Sequence, residues 1–519
     1  MMNQQVYPKT ARTAQQFMER LREGHFSTDG LDVIIDAAIS NELPRARMGT
    51  GIFFGHVIEP LSDTFLTQDR KTLQKVLAHL VSRIRLLPQA RQLHERLDLW
   101  GLRDEADLLN RIERISSDKK FDAQSIGKVK KVFVPSRVTL GADVLLSSPV
   151  IEKMKRRFPD AEIVFLGSEK NGRLLKGSQS MVRVHPLKYH RRGVLLNRFL
   201  IWLHVIHALE NEIGQLGQGE DYIIVNTDSR LLQSGLLPMI SPGKEDKRYF
   251  SWKPSVCRDA WKGTSQAEDL VQWLETTFGA EPQVERIYPK IHFLAEDDAF
   301  ANKVSERLNS AGKTFVVSMS LGVGGNQEKR VRYGSEIVSQ FEMGLIRRLL
   351  SDGVTLILDK GNGKEEFDQA DAIIRAAAGM GFEILEVKEK NPGLIGARCS
   401  EAGSRNVRLI AFQGGVSTFA ALINISDIFI GYDSLGQHMA GAVGRDIIAI
   451  FAGYHSDLFP QRWKPLGSGT IRLVKAHRGP FPPERQNDLV SEVFELYKSL
   501  RRTQSRKHVN TKTKSKSTT

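Results

Sequence analysis

The chain has 519 residues, of which 41% are apolar and 26% charged; that is too long for one ordinary core and is the composition of a soluble globular protein of roughly two to four domains. The most apolar aromatic window, VLLNRFLIWLHVIHAL (194–209), is broken by Arg198 and two histidines and falls short of the roughly 20 residues that cross a bilayer. The formal charge of +14 is concentrated at one end: Arg501, Arg502, Arg506, Lys507, Lys512, Lys514 and Lys516 supply +7 with no acid among them, leaving 14 − 7 = +7 for the rest.

That distribution argues against a broad nucleic-acid surface, and no specific nucleic acid is expected. Residues 501–519 are predicted to be a disordered basic tail, either a plain solvated terminus or a loose contact with anionic lipid headgroups. The N-terminal residues, MMNQQVYPKTARTAQQF, lack the apolar core of a secretory signal. A cytoplasmic location follows, peripheral at the inner face of the membrane if the tail makes that contact. Cys257 and Cys399 lie far apart and suggest neither a metal knuckle nor a disulfide framework, and no metal is expected.

In chain order, apolar residues at three- and four-residue spacings predict helices over 10–24, 70–87 and 103–115, and residues 1–125 read as a helical accessory region. The texture changes at Lys128. KKVFVPS (130–136) is a predicted strand, 143–158 an amphipathic helix, AEIVFLG (161–167) a strand, and DYIIVNT (221–227) another. Strand, helix, strand is the parallel crossover, so 126–295 reads as a Rossmann-like domain. The basic stretch from about 170 to 215 has no clear assignment.

A second alternating series occupies 296–500. Its predicted strands include TFVVSMSLG (314–322), VTLILDKG (354–361), VRLIAFQGG (407–415), DIFIGY (427–432) and DIIAIFA (446–452), with helices over 335–353 and 366–381. Continuous apolar strands are those of a parallel sheet buried on both faces, and ligands in such folds bind beyond the carboxyl ends of the strands. Two doubly wound domains facing a cleft are therefore expected.

The turns at those strand ends carry the candidate chemistry. In SLGVGGNQEKR (320–330), Ser320, Gly322, Gly324 and Gly325 allow close backbone approach and Lys329 brings charge, although the spacing is neither a P-loop nor G-x-G-x-x-G. Glu365 and Glu366 open a helix, where acids are ordinarily dipole partners. In DSLGQH (433–438), Asp433 or Ser434 either caps a helix of small residues or shares its first turn with an anion, and His438 is more often structural than catalytic. Asp143, at the matching turn of the first domain, is either a helix cap or a general base. Spacing alone does not separate these alternatives.

Taken together, these stretches resemble glycosyltransferase family 9, the ADP-heptose:lipopolysaccharide heptosyltransferases and their relatives. LGADVLLSSPVIEKMKRRFPDAEIVFLG (140–167) is similar to the family's L-G-D-V-L-x-T-x-P-x-L-x-x-L-K-x-x-F-P-x-A-x-I, and GYDSLGQHMAGAVGRDIIAIFAG (431–453) to its G-N-D-S-G-x-x-H-L-A-A-A-L-G-x-P-x-x-A-L-F-G. The resemblance covers about residues 128–475. It implies a GT-B-like fold with an acceptor domain followed by a nucleotide-sugar domain, and inverting, metal-independent transfer. The co-substrate implied is a nucleotide-sugar, ADP-heptose among them, with no separate cofactor, and the acceptor is a hydroxyl of a glycolipid or lipopolysaccharide-type glycan.

By position, Asp143 matches the catalytic base and Lys329 the lysine on the donor diphosphate and sugar. The Ser320–Gly325 loop matches the phosphate-side turn, Glu365 or Glu366 the nucleotide-binding acid, and Val416 and Ser417 the positions beside the base. Asp433, Ser434 and His438 match the turn that engages sugar and diphosphate. Two departures stand out: Ala142 is inserted before Asp143, and Leu435 stands where the family has glycine. A catalytically inactive nucleotide-sugar-binding relative is the alternative reading.

Overall fold

The computed structural model describes residues 3–115, 119–177, 182–189, 193–227, 236–280, 286–310, 315–324, 326–389 and 407–516. The chain forms two compact units. One comprises residues 1–176, 180–287 and 455–462, and the other 177–179, 288–454 and 463–519. The main boundary thus lies near 287 rather than the expected 295, and a short later segment, 455–462, belongs to the first unit.

The first unit opens with helices α1 (Asn3–Arg22), α2 (Thr28–Ala38), α3 (Leu43–Ile52), α4 (Thr67–Ile84), α5 (Arg91–Leu99) and α6 (Glu105–Ile115). Then come β1 (Lys128–Pro135), α7 (Ser148–Arg157), β2 (Glu162–Gly167), α8 (Glu169–Lys176), β3 (Val182–Pro186), α9 (Leu195–Ile213), β4 (Glu220–Asn226), α10 (Pro242–Arg248), β5 (Tyr249–Ser251) and α11 (Gln266–Phe278). The five strands make a parallel sheet in the order β3-β2-β1-β4-β5. The stretch around 170–215 that the sequence left unassigned supplies α8, β3 and α9.

The N-terminal helices are not a separate accessory body. Leu31, Ile34, Val76, Leu80 and Ile84 from α2 and α4 share one buried cluster with Phe133, Val164, Leu166, Tyr222 and Ile224 of the sheet and with Trp202 of α9. The alternate strand residues that face these helices are apolar, so the sheet's face needs a cover, and residues 3–115 provide it. A buried ion pair adds to this join. Arg111 of α6 donates from Nε to both carboxylate oxygens of Glu245 in α10, each at 3.0 Å, and Lys119 donates to the carbonyls of Glu245 and Asp246 at 2.9 and 3.0 Å.

The second unit contains α12 (Ala295–Ser310), β6 (Val316–Ser320), α13 (Gln340–Ser351), β7 (Thr355–Asp359), α14 (Lys364–Gly379), β8 (Glu383–Lys388), β9 (Val407–Gln413), α15 (Val416–Asn424), β10 (Ile428–Tyr432), α16 (Leu435–Ala442), β11 (Asp446–Ala452), β12 (Ile471–His477) and α17 (Pro483–Lys516). Seven parallel strands are ordered β12-β11-β10-β6-β7-β9-β8. From β6 the chain builds outward to one side through β7 and later returns to the other side at β10. The topological switch point of this sheet therefore falls between the carboxyl ends of β6 and β10.

The basic tail differs from expectation. No glycine or proline follows Pro483 before Lys516, and α17 continues unbroken to Lys516. Val490, Val493, Tyr497 and Leu500 seat it on the core, Arg501 pairs with Asp352, and Gln504 donates to the Asp427 carbonyl and to Asp446, both at 2.9 Å. Arg501 is thus part of the folded unit. Among the described residues, no helix is long and apolar enough to cross a membrane.

Candidate functional site

At the switch point of the second sheet, β10 ends in Tyr432, Asp433 follows directly, and α16 begins at Leu435. The Asp433 amide donates to the Ile450 carbonyl at 2.9 Å, which fixes the turn to β11. Asp433 is 7% exposed, and its carboxylate receives the Lys329 ammonium on one oxygen and Gln437 Nε2 at 2.8 Å on the other. Lys329 and Asp433, 104 positions apart, are therefore brought together. Ser434 occupies the helix N-cap with extended backbone, yet no side chain caps the helix. The first-turn amides carry the positive end of the helix dipole without a built-in acceptor.

Two buried polar atoms on that turn have no partner: Gln437 Oε1 and His438 Nδ1, on residues 0% and 4% exposed. Burial brings the His438 imidazole down to about 4; the Asp433 carboxylate opposes that shift and the Lys329 ammonium adds to it. The ring is neutral at physiological pH. Gly436 is required here, because a Cβ would stand 2.5 Å from the Phe429 ring and 3.4 Å from the Ser320 Cβ.

Lys329 closes a single 3₁₀ turn, Gln327–Lys329, that is held from three sides. Gly453, at φ +68°, lets the end of β11 approach so closely that a Cβ would lie 2.1 Å from the Glu328 carbonyl oxygen. Gln327 donates to Glu365 at 2.7 Å. Arg330 turns inward, donating from Nε and Nη2 to the Glu342 carboxylate at 2.9 and 2.7 Å and from Nη2 to the Ile337 carbonyl at 2.8 Å. Glu342 completes a capping box with Ser339 at the start of α13 and also receives the Tyr432 hydroxyl at 3.0 Å. A run expected to be helical from 335 begins only at Gln340, because residues 331–339 form the loop that this network anchors.

The other donor-side candidates have mixed fates. Ser320, 6% exposed, ends β6 beside Gly431 and Asp359 and lies next to the first turn of α16. Gly324 adopts φ +63°, a conformation that favours glycine, and Gly325 lies outside the described residues. Glu366 caps its own helix, accepting from the amides of Asn362 and Gly363 at 2.8 and 3.2 Å, and a Cβ at Gly322 would sit 2.8 Å from it. Ser417 turns inward to Asp297 in the first turn of α12, and Thr418 joins it at 2.7 Å. Its hydroxyl joins α15 to α12; Val416, at the helix start, is half-buried.

In the first unit, Asp143 opens a π-helical turn, Asp143–Ser147, ahead of α7. It is 0% exposed. Oδ1 accepts from the Arg137 amide at 2.7 Å and Ser147 at 2.8 Å; Oδ2 accepts from Ser136 at 2.7 Å and Asn171 at 2.6 Å. A carboxylate has about four lone-pair sites, and all are taken. Burial raises the Asp143 pKa above the usual aspartate value, with these four donors pulling the other way. The Asp143 carboxylate thus clasps its own turn. Val138 in that turn has φ +68°, a strained geometry for a β-branched residue.

Sequence reading missed Asp359, Glu342 and Asn171. Asp359 had a readable signal, since an acid closes the apolar run TLILD at a strand's carboxyl end. Burial lifts its carboxyl to about 6, the Gly361 amide and the Ser320 hydroxyl opposing and Glu366 adding.

No known family profile matches the chain, and no curated protein does either. Solved structures do. The glycosyl transferase family 9 protein from Veillonella parvula is 12% identical over 70% of this chain and 88% of its own, with a TM-score of 0.43. The E. coli ADP-heptose lps heptosyltransferase II is 13% identical over 70% of this chain and 99% of its own, with a TM-score of 0.41. The E. coli heptosyltransferase WaaC with ADP is 13% identical over 71% of this chain and 99% of its own, with a TM-score of 0.43.

Proposed function

We propose that this chain is a glycosyltransferase of the heptosyltransferase type, moving a sugar from a nucleotide-diphosphate donor to a hydroxyl of a glycolipid or lipopolysaccharide-type acceptor. The observation that carries the reading is the turn around Asp433. A lysine, an uncapped helix start and two buried unpaired polar atoms converge at a topological switch point, where a diphosphate is best received. Lys329 and the first amides of α16 supply the positive field for a departing diphosphate without a metal, which suits inverting displacement. ADP is the first nucleotide to test, because the sequence resemblance implies ADP-heptose.

The saturated carboxylate of Asp143 favours a second reading, a relative that binds nucleotide-sugar without turnover. For Asp143 to take a proton from an acceptor hydroxyl, one of its four donors has to leave. Two measurements separate these readings. Thermal stability in a panel of nucleoside diphosphates and nucleotide-sugars tests the donor site: a selective rise, lost in Lys329→Ala, supports it, and no rise from any of them removes both readings. Asp143→Asn then tests turnover. An enzyme loses transfer by about a hundredfold or more while keeping donor affinity, whereas a binding relative has no transfer to lose.

The same proposal places the protein at an anionic membrane surface through the end of α17. Gln504 is tied to Asp427 and Asp446 beside the amino ends of β10 and β11, so the basic segment leaves from the sheet edge opposite the donor site. Sedimentation with phosphatidylserine vesicles, weakened by salt and by truncation after Gln504, is the expected result.

A further inference from the structure

We propose that Asp359 is a positioning residue that sets the direction of the Ser320 hydroxyl beneath the diphosphate and so makes donor binding depend on pH. The inference rests on the donor-site reading above and assigns a role to a residue outside the resemblance.

Ser320 and Asp359 are direct neighbours across the β6–β7 pair, and Ser320 faces Gly431 of β10 on its other side. Its Cβ is where a side chain on Gly436 would make contact, which sets the hydroxyl-bearing carbon beside the first turn of α16. Ser320 Oγ lies 3.3 Å from Asp359 Oδ2, and the Gly361 amide donates to Oδ1 at 3.0 Å. The serine hydroxyl has one proton and the carboxyl group has one site whose occupancy decides who donates. When Asp359 is ionised, it accepts the hydrogen bond from the Ser320 hydroxyl, and Ser320 turns lone pairs toward any anion at the helix start. When Asp359 is protonated, it donates to Ser320 Oγ, and the serine proton is free for a phosphate oxygen.

The surroundings isolate this pair. Glu366, from the first turn of α14, is the charged group acting on Asp359. Glu365 is taken by Gln327, Lys360 by Asp371 and Glu386, and the neighbour on β9 is Phe412. Asp359 itself, lifted to about 6 by burial, changes charge within the range in which cells and assays operate.

The test is the affinity of the full-length protein for ADP, and for inorganic pyrophosphate as a base-independent probe, measured by calorimetry from pH 5 to pH 8. The phosphates titrate too, so each profile is read against that of Asp359→Asn, whose amide is a permanent donor to Ser320. Relative to that variant, wild-type affinity is expected to fall about tenfold as pH rises, the worth of one hydrogen bond turned from donor to acceptor. Ser320→Ala is expected to follow the Asp359→Asn slope at lower affinity, which keeps the test usable if Asp359→Asn fails to fold. Parallel wild-type and variant profiles overturn the proposal while leaving the donor site standing. Binding of neither probe to the wild-type protein removes the donor site, and this inference with it.

Discussion

His438 shows how a single buried side chain writes a pH dependence into the fold. Its imidazole titrates near 4 in the folded chain against a usual 6.5. Above pH 6.5 it is neutral in both states and contributes nothing to the pH dependence. Between 6.5 and 4 the unfolded chain takes up a proton that the folded one refuses, so stability is lost as pH falls, by about 3 kcal/mol at pH 4. The difference in unfolding free energy between wild type and His438→Gln, followed from pH 7.5 to 4, is expected to shrink by that amount; a constant difference removes the claim. Val138 makes a second prediction at this scale. With φ +68°, it holds strain that glycine does not, so Val138→Gly is expected to raise stability by about 1 kcal/mol in urea unfolding, even though glycine loses more backbone entropy on folding.

The loop between β6 and α13 is the element on which the donor site depends, and its anchor is internal. Arg330 and Glu342 are 6% and 1% exposed, and each satisfies the other's charge. Glu342→Gln leaves the guanidinium buried without a counter-charge, which costs about 3–5 kcal/mol, and it frees the turn carrying Lys329. Lower chemical stability together with weaker ADP affinity is the expected pair of results; stability within about 0.5 kcal/mol of wild type contradicts the anchoring role. This element also marks how far the sequence could be read. Apolar runs such as VVSMS and IFIGY announced buried parallel strands because such strands need no alternation. They say nothing about which side chains meet at the strand ends. The approach of Lys329 to Asp433 came from resemblance to a family, since local spacing cannot relate positions 104 apart. The closure of Asp143 was not legible, because Asn171 reaches it from α8, in a stretch whose fold the sequence left open.

For the molecule as a whole, the largest departure from the sequence reading concerns residues 3–115. Helical periodicity identified one apolar face on each helix but not the surface it covers, and an independent accessory region fitted the pattern equally well. The structure instead packs that face on the first sheet. Trp202 and Phe133 are 0% exposed beneath it, and Arg111 seals the join with Glu245. Each large apolar side chain uncovered by removing these helices forfeits roughly 1.5–3 kcal/mol, and the Arg111–Glu245 pair is lost with them. Against a usual domain stability of about 5–15 kcal/mol, a chain beginning at residue 119 is therefore expected not to fold, and to appear insoluble or without a cooperative unfolding transition. Glu245→Ala in the full-length chain tests the same join more gently. It is expected to lower the unfolding midpoint of the first unit and to expose α6 and α10 together to limited proteolysis, with the second unit unchanged. A soluble truncated chain that melts cooperatively near the wild-type temperature restores the helices to the status of an appendage.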